Sequence, residues 1–298
     1  VVDVEVVVGD DLADVAVEEA LPLAQVQREV VAPRVAGAVQ ADGSCDDEHA
    51  QRQHRPMATQ RRSDARPPLV RTHACDYGAR MTLLPLTPDQ LLSTTRAVRK
   101  RLDFDRSVPD ELIRECVDLA MQSPSGSNNM TMQFVVVRDA AKRAAIGEIY
   151  RQCYGIYSQL DGVYIGSIDK GGEAANAQQQ RSTTSADFLG DRMGDAPALV
   201  IACTGGRADG LPAMMTSSMF GNVLPAMWSF MLAARARGLG TCWTTIHLMM
   251  EQQVADVLGI PFDTVQQVCL SPLAFTVGTD FKPAARPPAD SIIHWDQW

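Results

Sequence analysis

Four basic residues lie within six positions of one another: Arg96, Arg99, Lys100 and Arg101. They lie near the end of a short predicted helix in a chain whose formal net charge is -9. At the i, i+3 spacing of a helix, the Arg96 and Arg99 guanidinium groups can converge on one anion. Taken alone, such a cluster is more often a solvated basic face. It indicates a phosphate site only together with other motifs.

Three further segments have residue types that suit a planar or phosphorylated ligand. The loop at residues 123–129 reads SPSGSNN, and its amides and hydroxyls can bond a heterocycle or a phosphate. Gly238 and Gly240 flank the predicted end of a long helix and permit close backbone approach to a ligand. Lys282 and Arg286 lie in a proline-rich segment near the C terminus. Each segment also has an ordinary structural explanation: a helix-to-strand loop, a glycine cap and a polar extension.

Other kinds of chemistry are not signalled. The chain has neither a GxxxxGK phosphate loop nor a GxGxxG dinucleotide fingerprint. Its seven cysteines are scattered without a CxxC pair, so neither a disulfide framework nor a metal site is predicted. The acidic net charge argues against a partner that is nucleic acid or an anionic membrane. With no signal peptide or apolar run of about 18 residues, we predict a cytoplasmic protein.

The composition changes near Met81. The first 80 residues contain no Phe, Trp or Lys, one Tyr and nine arginines. Such a segment has little from which to build a core. We predict that residues 1–80 are a disordered or non-native N-terminal extension, and we favour a natural start at Met81 over a regulatory tail. Residues 81–298 are predicted to form one domain.

Within that domain, helices and strands alternate. Capping residues and apolar periodicity predict helices at 87–96, 109–120, 139–159, 213–237 and 250–258, and strands at 134–137, 197–203, 241–246 and 265–277. Pro225 is predicted to kink the longest helix or to free a carbonyl within it. Residues 160–182, rich in Gly, Gln and Asn, are predicted to be a mobile excursion that covers a pocket.

From about Leu91 to the C terminus, these elements together resemble the nitroreductase family. The family's Arg-x-x-Arg phosphate element is similar to residues 96–99, and its VP-x-E helix start is similar to residues 108–111. Its loop near the flavin is similar to 124–128, and its A-R-G-L-G-x-x-W segment to 236–243. The resemblance implies the following cofactor-binding residues: Arg96, Ala97, Val98, Arg99, Lys100, Ser127, Asn128, Gly238, Leu239, Gly240, Thr241 and Arg286.

The resemblance also implies a fold and an activity. The fold would be α+β, a central mixed and mostly antiparallel sheet flanked by helices, in a homodimer with FMN at the interface. The enzyme would take hydride from NAD(P)H and reduce nitroaromatic, quinone or similar electron-poor acceptors by ping-pong transfer. The flavin would carry the chemistry, so the protein needs neither a catalytic side chain nor a metal. Alternatives are a flavin-fragmenting or dehalogenating enzyme of the same fold and a non-catalytic flavin-binding protein.

The chain departs from the family pattern at two places. Residues 129–132 read NMTM where many members have Gln-Pro-Trp, and Trp228 and Ser229 replace Gln and Asn in the long helix. Both places are expected near the pocket, so the preferred acceptor stays open.

Overall fold

The computed structural model describes residues 83–298. The predicted extension, residues 1–80, lies outside the described residues. The helices within the described range are α1 (Pro88–Thr94), α2 (Asp110–Ala120), α3 (Ala140–Tyr157), α4 (Glu173–Arg192), α5 (Ala213–Ala236) and α6 (Glu251–Leu258). The strands are β1 (Leu102–Asp103), β2 (Met132–Val137), β3 (Ala198–Gly205), β4 (Leu239–Thr241) and β5 (Val265–Thr276).

The five strands form one sheet in the order β1-β5-β3-β2, with β4 pairing on β5 as well. The ladders are antiparallel, and two isolated parallel bridges join Ala97 to Thr241 and Gly206 to Val265. Helices cover the sheet, so the predicted α+β class with a mostly antiparallel sheet is confirmed.

Both faces of the sheet are buried, as β3 shows. Val200 and Ala202 face a core shared with α2 and α5, whereas Leu199, Ile201 and Cys203 face a core shared with α3, α4 and α6. Side chains of a strand alternate between faces, so an apolar residue is needed at every position of a strand covered on both sides. This explains why β3 has a continuous apolar sequence.

Local signals give the start of α1 and the buried face of α2 correctly, whereas α1 ends at Thr94, before the predicted end at residue 96. The Thr87 hydroxyl accepts from the Gln90 backbone N–H at 3.2 Å, and the Gln90 side chain accepts from the Thr87 N–H at 2.9 Å. This capping box satisfies two N–H groups that a helix start leaves without partners. In α2, Leu112, Ile113 and Cys116 are buried on one face, as their spacing predicts.

The strand predicted at 241–246 was misplaced. Pairing with β5 covers Leu239–Thr241, and a 3-10 turn at Ile246–Met250 follows. The ladder stops because the Cys242 N–H donates to the Ser271 hydroxyl at 3.0 Å instead of to a backbone carbonyl. Thr244 then makes an isolated bridge to Leu270.

The predicted excursion at 160–182 is partly helical, because α4 begins at Glu173. The helix is polar, with only Thr183, Leu189 and Gly190 buried, so its sequence lacks an apolar stripe. The preceding loop is attached at Ile165, whose N–H donates to the Tyr157 hydroxyl at 2.8 Å and whose carbonyl accepts from Gln179 at 2.7 Å. A role as a cover for a pocket stays a prediction.

The longest helix, α5, runs without interruption through Pro225. Because proline has no N–H, the carbonyl four residues earlier, on Gly221, lacks its helical donor. Among the described helices, none combines the length and the apolar character required to cross a bilayer.

Candidate functional site

The basic segment, residues 96–100, lies between α1 and β1 and is attached to β4. Ala97 forms a parallel bridge with Thr241, and the Val98 N–H donates to the Thr241 carbonyl at 2.8 Å. Val98 is buried, whereas Ala97 and Lys100 are exposed. The backbone of the basic segment is thus fixed to the strand that follows α5.

The two arginines of the basic segment lie beyond the end of α1, so their expected helical spacing was wrong. The Thr94 and Thr95 hydroxyls donate back to carbonyls of the helix, each at 2.6 Å, and Thr95 has extended backbone angles. Threonine at a helix end offers the backbone such alternative hydrogen bonds. Arg96 and Arg99 therefore follow an extended residue and do not sit one helical turn apart.

The two guanidinium groups have different surroundings. Arg96 donates through Nη1 to the carbonyl of Lys282 at 2.7 Å, which ties the basic segment to the C-terminal segment. Burial raises the pKa of the Cys242 thiol, and the nearby Arg99 cation partly offsets that rise. Burial also raises the pKa of Tyr150, and the Arg99 cation lowers it by a smaller amount. Both arginines are half-buried.

The glycines after α5 are required by the geometry. Gly238 has a φ of 74°, in the left-handed region that favours glycine. A Cβ on Gly240 would lie 2.8 Å from side-chain carbons of Leu102 and Thr276 and 3.0 Å from the Cβ of Val98. Gly240 therefore lets the basic segment, β1 and β5 meet at one edge of the sheet.

Arg286 is placed less closely than Arg96. It is exposed, and its Nη1 donates to the adjacent Ala285 carbonyl at 3.5 Å. Lys282, four residues earlier, is the point at which the same segment contacts Arg96. The structure thus brings the Lys282 backbone to the basic segment and leaves Arg286 in the exposed part that follows.

The Ser127 and Asn128 loop lies elsewhere. Both residues are exposed and have φ values of 54° and 53°, unusual for residues other than glycine. The loop packs on the first half of α5, where the Gly126 N–H donates to the side chain of Asn222 at 2.6 Å. From Asn222 to the end of α5 the helix rises about 20 Å. The loop and the basic segment are therefore far apart within one chain.

Asn222 is a residue that sequence reasoning missed. It is 5% exposed, and its amide nitrogen also donates to the Asn129 carbonyl at 3.4 Å and to the Thr131 hydroxyl at 3.3 Å. One side chain thus holds both ends of the strained loop. The sequence signal that could have identified Asn222 is a carboxamide side chain among apolar residues in the middle of a predicted helix.

The fold and this arrangement define an α+β protein with a cationic edge beside a glycine-rich strand. The family model for the nitroreductase family matches residues 92–279. The chain belongs to the nitroreductase family.

Relatives and solved structures agree with that assignment. A Methanothermobacter thermautotrophicus protein named as an NADH dehydrogenase/NAD(P)H nitroreductase is 24% identical over 158 residues, which is 53% of this chain and 60% of that relative. The match therefore spans less than two thirds of the relative's length.

Two solved structures share the fold. One is iodotyrosine deiodinase bound to FMN and 3-iodo-L-tyrosine, at a TM-score of 0.52 and 16% identity, covering 70% of this chain and 98% of that one. The other is a variant of the FMN- and NADPH-dependent nitroreductase NfnB from Sphigopyxis sp. strain HMH, at a TM-score of 0.53 and 18% identity, covering 72% of this chain and 100% of that one.

Proposed function

We propose that this chain is an FMN-dependent oxidoreductase that takes hydride from NAD(P)H and reduces nitroaromatic, quinone or similar electron-poor acceptors. The observation that carries the proposal is the meeting of the basic segment, β4 and the Lys282 backbone at one edge of the sheet in a member of the nitroreductase family. Membership of that family supports the activity, and the cationic edge supports a phosphorylated cofactor.

The residues at this edge fit the phosphate of FMN. Arg96, Arg99 and Lys100 are cations on a backbone fixed by β4, and Arg286 lies on the segment that Arg96 contacts. Guanidinium groups form charge-assisted bonds to phosphate oxygens, which are stronger than neutral hydrogen bonds. We assign these four residues to phosphate binding, and we assign the backbone of Gly238–Thr241 to the side of the isoalloxazine ring.

FMN, when bound, supplies the hydride chemistry. The protein's part is to bind and orient the cofactor and to admit NAD(P)H and the acceptor in turn to the same place. This alternation predicts ping-pong kinetics without a nucleophile or a general base from the chain.

We propose that the site is completed by a second copy of the chain. Ser127 and Asn128 are about 20 Å of helix away from the basic segment, and we infer that a cofactor held at that segment meets the loop of a partner rather than the loop of its own chain. One exposed side of α5 carries the apolar residues Met214, Leu224 and Trp228. Exposed apolar residues along one helix side are typical of a protein interface. A partner packed there would present its own Ser127 loop to this chain's basic segment.

The test is the flavin content of the Arg96→Ala, Arg99→Ala double variant. Each lost charge-assisted bond is worth about 1.5–3 kcal/mol, so FMN should bind at least about 100-fold more weakly. Binding is measured by titrating flavin-free protein with FMN and following flavin fluorescence. A Lys142→Ala, Arg181→Ala variant removes two exposed cations from α3 and α4 and should bind FMN like the wild type.

Two results would count against the proposal. Wild-type protein that takes up no FMN would end it. Wild-type protein that binds FMN but oxidises NADH and NADPH no faster than free flavin, with a nitroaromatic or a quinone present, would support a non-catalytic flavin-binding protein instead.

A further inference from the structure

Arg235, in the last turn of α5, is a buried cation that has no anionic partner within the described part of the chain. It is 3% exposed, and among residues 83–298 no carboxylate forms a salt bridge with it. Its Nη2 donates to the Thr279 carbonyl at 2.9 Å and to the Thr94 hydroxyl at 3.3 Å. Its Nε and Nη1 are buried and have no hydrogen-bond partner in the described part of the chain.

Two other arginines are paired although they are less deeply buried, with side chains 11% (Arg237) and 20% (Arg207) exposed. Arg237, two residues further on, donates to Glu115 at 2.8 Å, and Arg207 donates to Glu251 at 3.0 Å. Buried charges in proteins are normally paired because desolvation is costly. Arg235 departs from a rule that the same chain follows at both of these positions.

The neighbours of Arg235 add positive charge. The Phe281 ring is close to two guanidinium groups, with its centre 4.2 Å from the Cζ of Arg101 and 4.8 Å from the Cζ of Arg235. Burial lowers the pKa of Arg235, and the Arg101 cation lowers it further. The carboxylate of this region, Asp280, is exposed and pairs with Arg101 at 2.7 Å.

Arg235 is also close to the basic segment. The Thr94 hydroxyl accepts from Arg235, and Thr94 precedes Arg96 by two residues, so the Cα atoms of Thr94 and Arg96 are no more than about 8 Å apart. The second contact of Arg235, Thr279, lies three residues before Lys282, whose carbonyl accepts from Arg96. Arg235 thus holds both of the segments that meet at the proposed phosphate position.

We propose that Arg235 is a positioning residue for the cofactor phosphate, and that this phosphate supplies the counter-charge that residues 83–298 do not provide to Arg235. The proposal rests on the proposed function. The charges attract through the poorly screened protein interior, and the two chain segments are held in place by the same side chain. Riboflavin has the same ring system without the phosphate and gains nothing from Arg235.

The experiment compares the dissociation constants of FMN and riboflavin for flavin-free wild type, Arg235→Met and Arg235→Lys. For a separation of about 10 Å between the Arg235 guanidinium and the phosphate, and an effective dielectric constant near 20, removing the charge should weaken FMN binding about tenfold or more. Riboflavin binding should change less than about twofold. Arg235→Lys keeps the charge and should keep most of the preference for FMN.

Stability in phosphate-free buffer without flavin is the second readout. Arg235→Met removes a buried charge together with its two hydrogen bonds, so its urea midpoint should fall less than that of Arg237→Met. Arg237→Met is the matched control: it leaves Glu115 without a partner, should be less stable, and should leave the preference for FMN unchanged.

The outcomes separate the two proposals. Arg235→Met that loses FMN and riboflavin affinity equally has lost a structural residue and overturns the inference. Arg235→Met that keeps the full preference for FMN also overturns it and leaves the proposed function intact. Wild type that takes up no FMN contradicts the proposed function itself.

Discussion

His247 is completely buried in the 3-10 turn after β4, and neither of its ring nitrogens has a hydrogen-bond partner among residues 83–298. A histidine after an apolar strand can meet a substrate or be a structural residue. Burial without any solvent contact favours the structural role. Because no group compensates the charged form, burial lowers the pKa of His247 from 6.5 to about 3.

This burial predicts a pH-dependent stability. Between about pH 6.5 and pH 3 the unfolded chain binds a proton at His247 and the native chain does not, so the stability falls as the pH falls through this window. At pH 5 the loss is roughly 2 kcal/mol relative to pH 7. The measurement is urea unfolding at pH 7, 6 and 5 for the wild type and His247→Leu, which should lack this contribution.

The control for that series is His294→Leu, which removes an exposed imidazole. Other groups titrate in the same range, so the difference between wild type and variant isolates His247. Equal pH dependence for wild type and His247→Leu would show that the native state does accept the proton.

At the scale of elements, the edge where β4 meets the basic segment depends on Gly240. An added methyl group would lie 2.8 Å from terminal carbons of Leu102 and Thr276 and 3.0 Å from the Cβ of Val98, whose position is fixed by the backbone of the basic segment. We expect Gly240→Ala to lower the free energy of unfolding by about 1–3 kcal/mol and to weaken FMN binding, because the basic segment is displaced. Urea unfolding and FMN titration measure the two effects.

A second glycine provides the control. Gly155 is exposed on α3, and nothing lies within 4 Å of a Cβ added to it. Gly155→Ala should leave FMN binding unchanged and raise stability by up to about 1 kcal/mol, because alanine loses less entropy in a helix. If Gly240→Ala lowers neither the free energy of unfolding nor FMN binding, as expected for Gly155→Ala, then the strands and the basic segment can move apart at this edge without loss of stability.

For the whole molecule, the prediction concerns assembly. Leu224 and Trp228 are each 38% exposed on the apolar side of α5. Replacing both with Asp should convert a dimer into a folded monomer, because charges would be buried at the interface, and should release FMN, because the partner's Ser127 loop is lost. Light scattering gives the mass, and visible absorbance gives the flavin content.

The matched control carries the same charges elsewhere. Ile156 and Val163, also exposed, are on and just after α3, and the Ile156→Asp, Val163→Asp variant should remain a flavin-loaded dimer. A wild-type monomer that binds FMN fully would refute the proposal that two copies of the chain share one FMN site. The proposed phosphate binding by Arg96 and Arg99 would then still be tested by the double variant.

Local sequence determined much of this protein. The capping box of α1, the buried face of α2 and the continuous apolar run of β3 could be read correctly because each depends on residues close together in the chain. The motifs shared with the nitroreductase family likewise placed the basic segment and the glycine pair in the sequence. None of these features needs knowledge of a distant contact.

Only the tertiary structure decided how those pieces are arranged. The end of β4 depends on Ser271, the shape of the Ser127 loop on Asn222, and the burial of Arg235 on Thr94, at sequence separations of 29, 96 and 141 residues. Such contacts leave no periodicity or cap in the sequence, because each residue type is ordinary in its own segment. The tertiary fold brings the basic segment to β4 and keeps the Ser127 loop far along α5. Residues that the family resemblance assigns to one cofactor therefore lie apart within one chain.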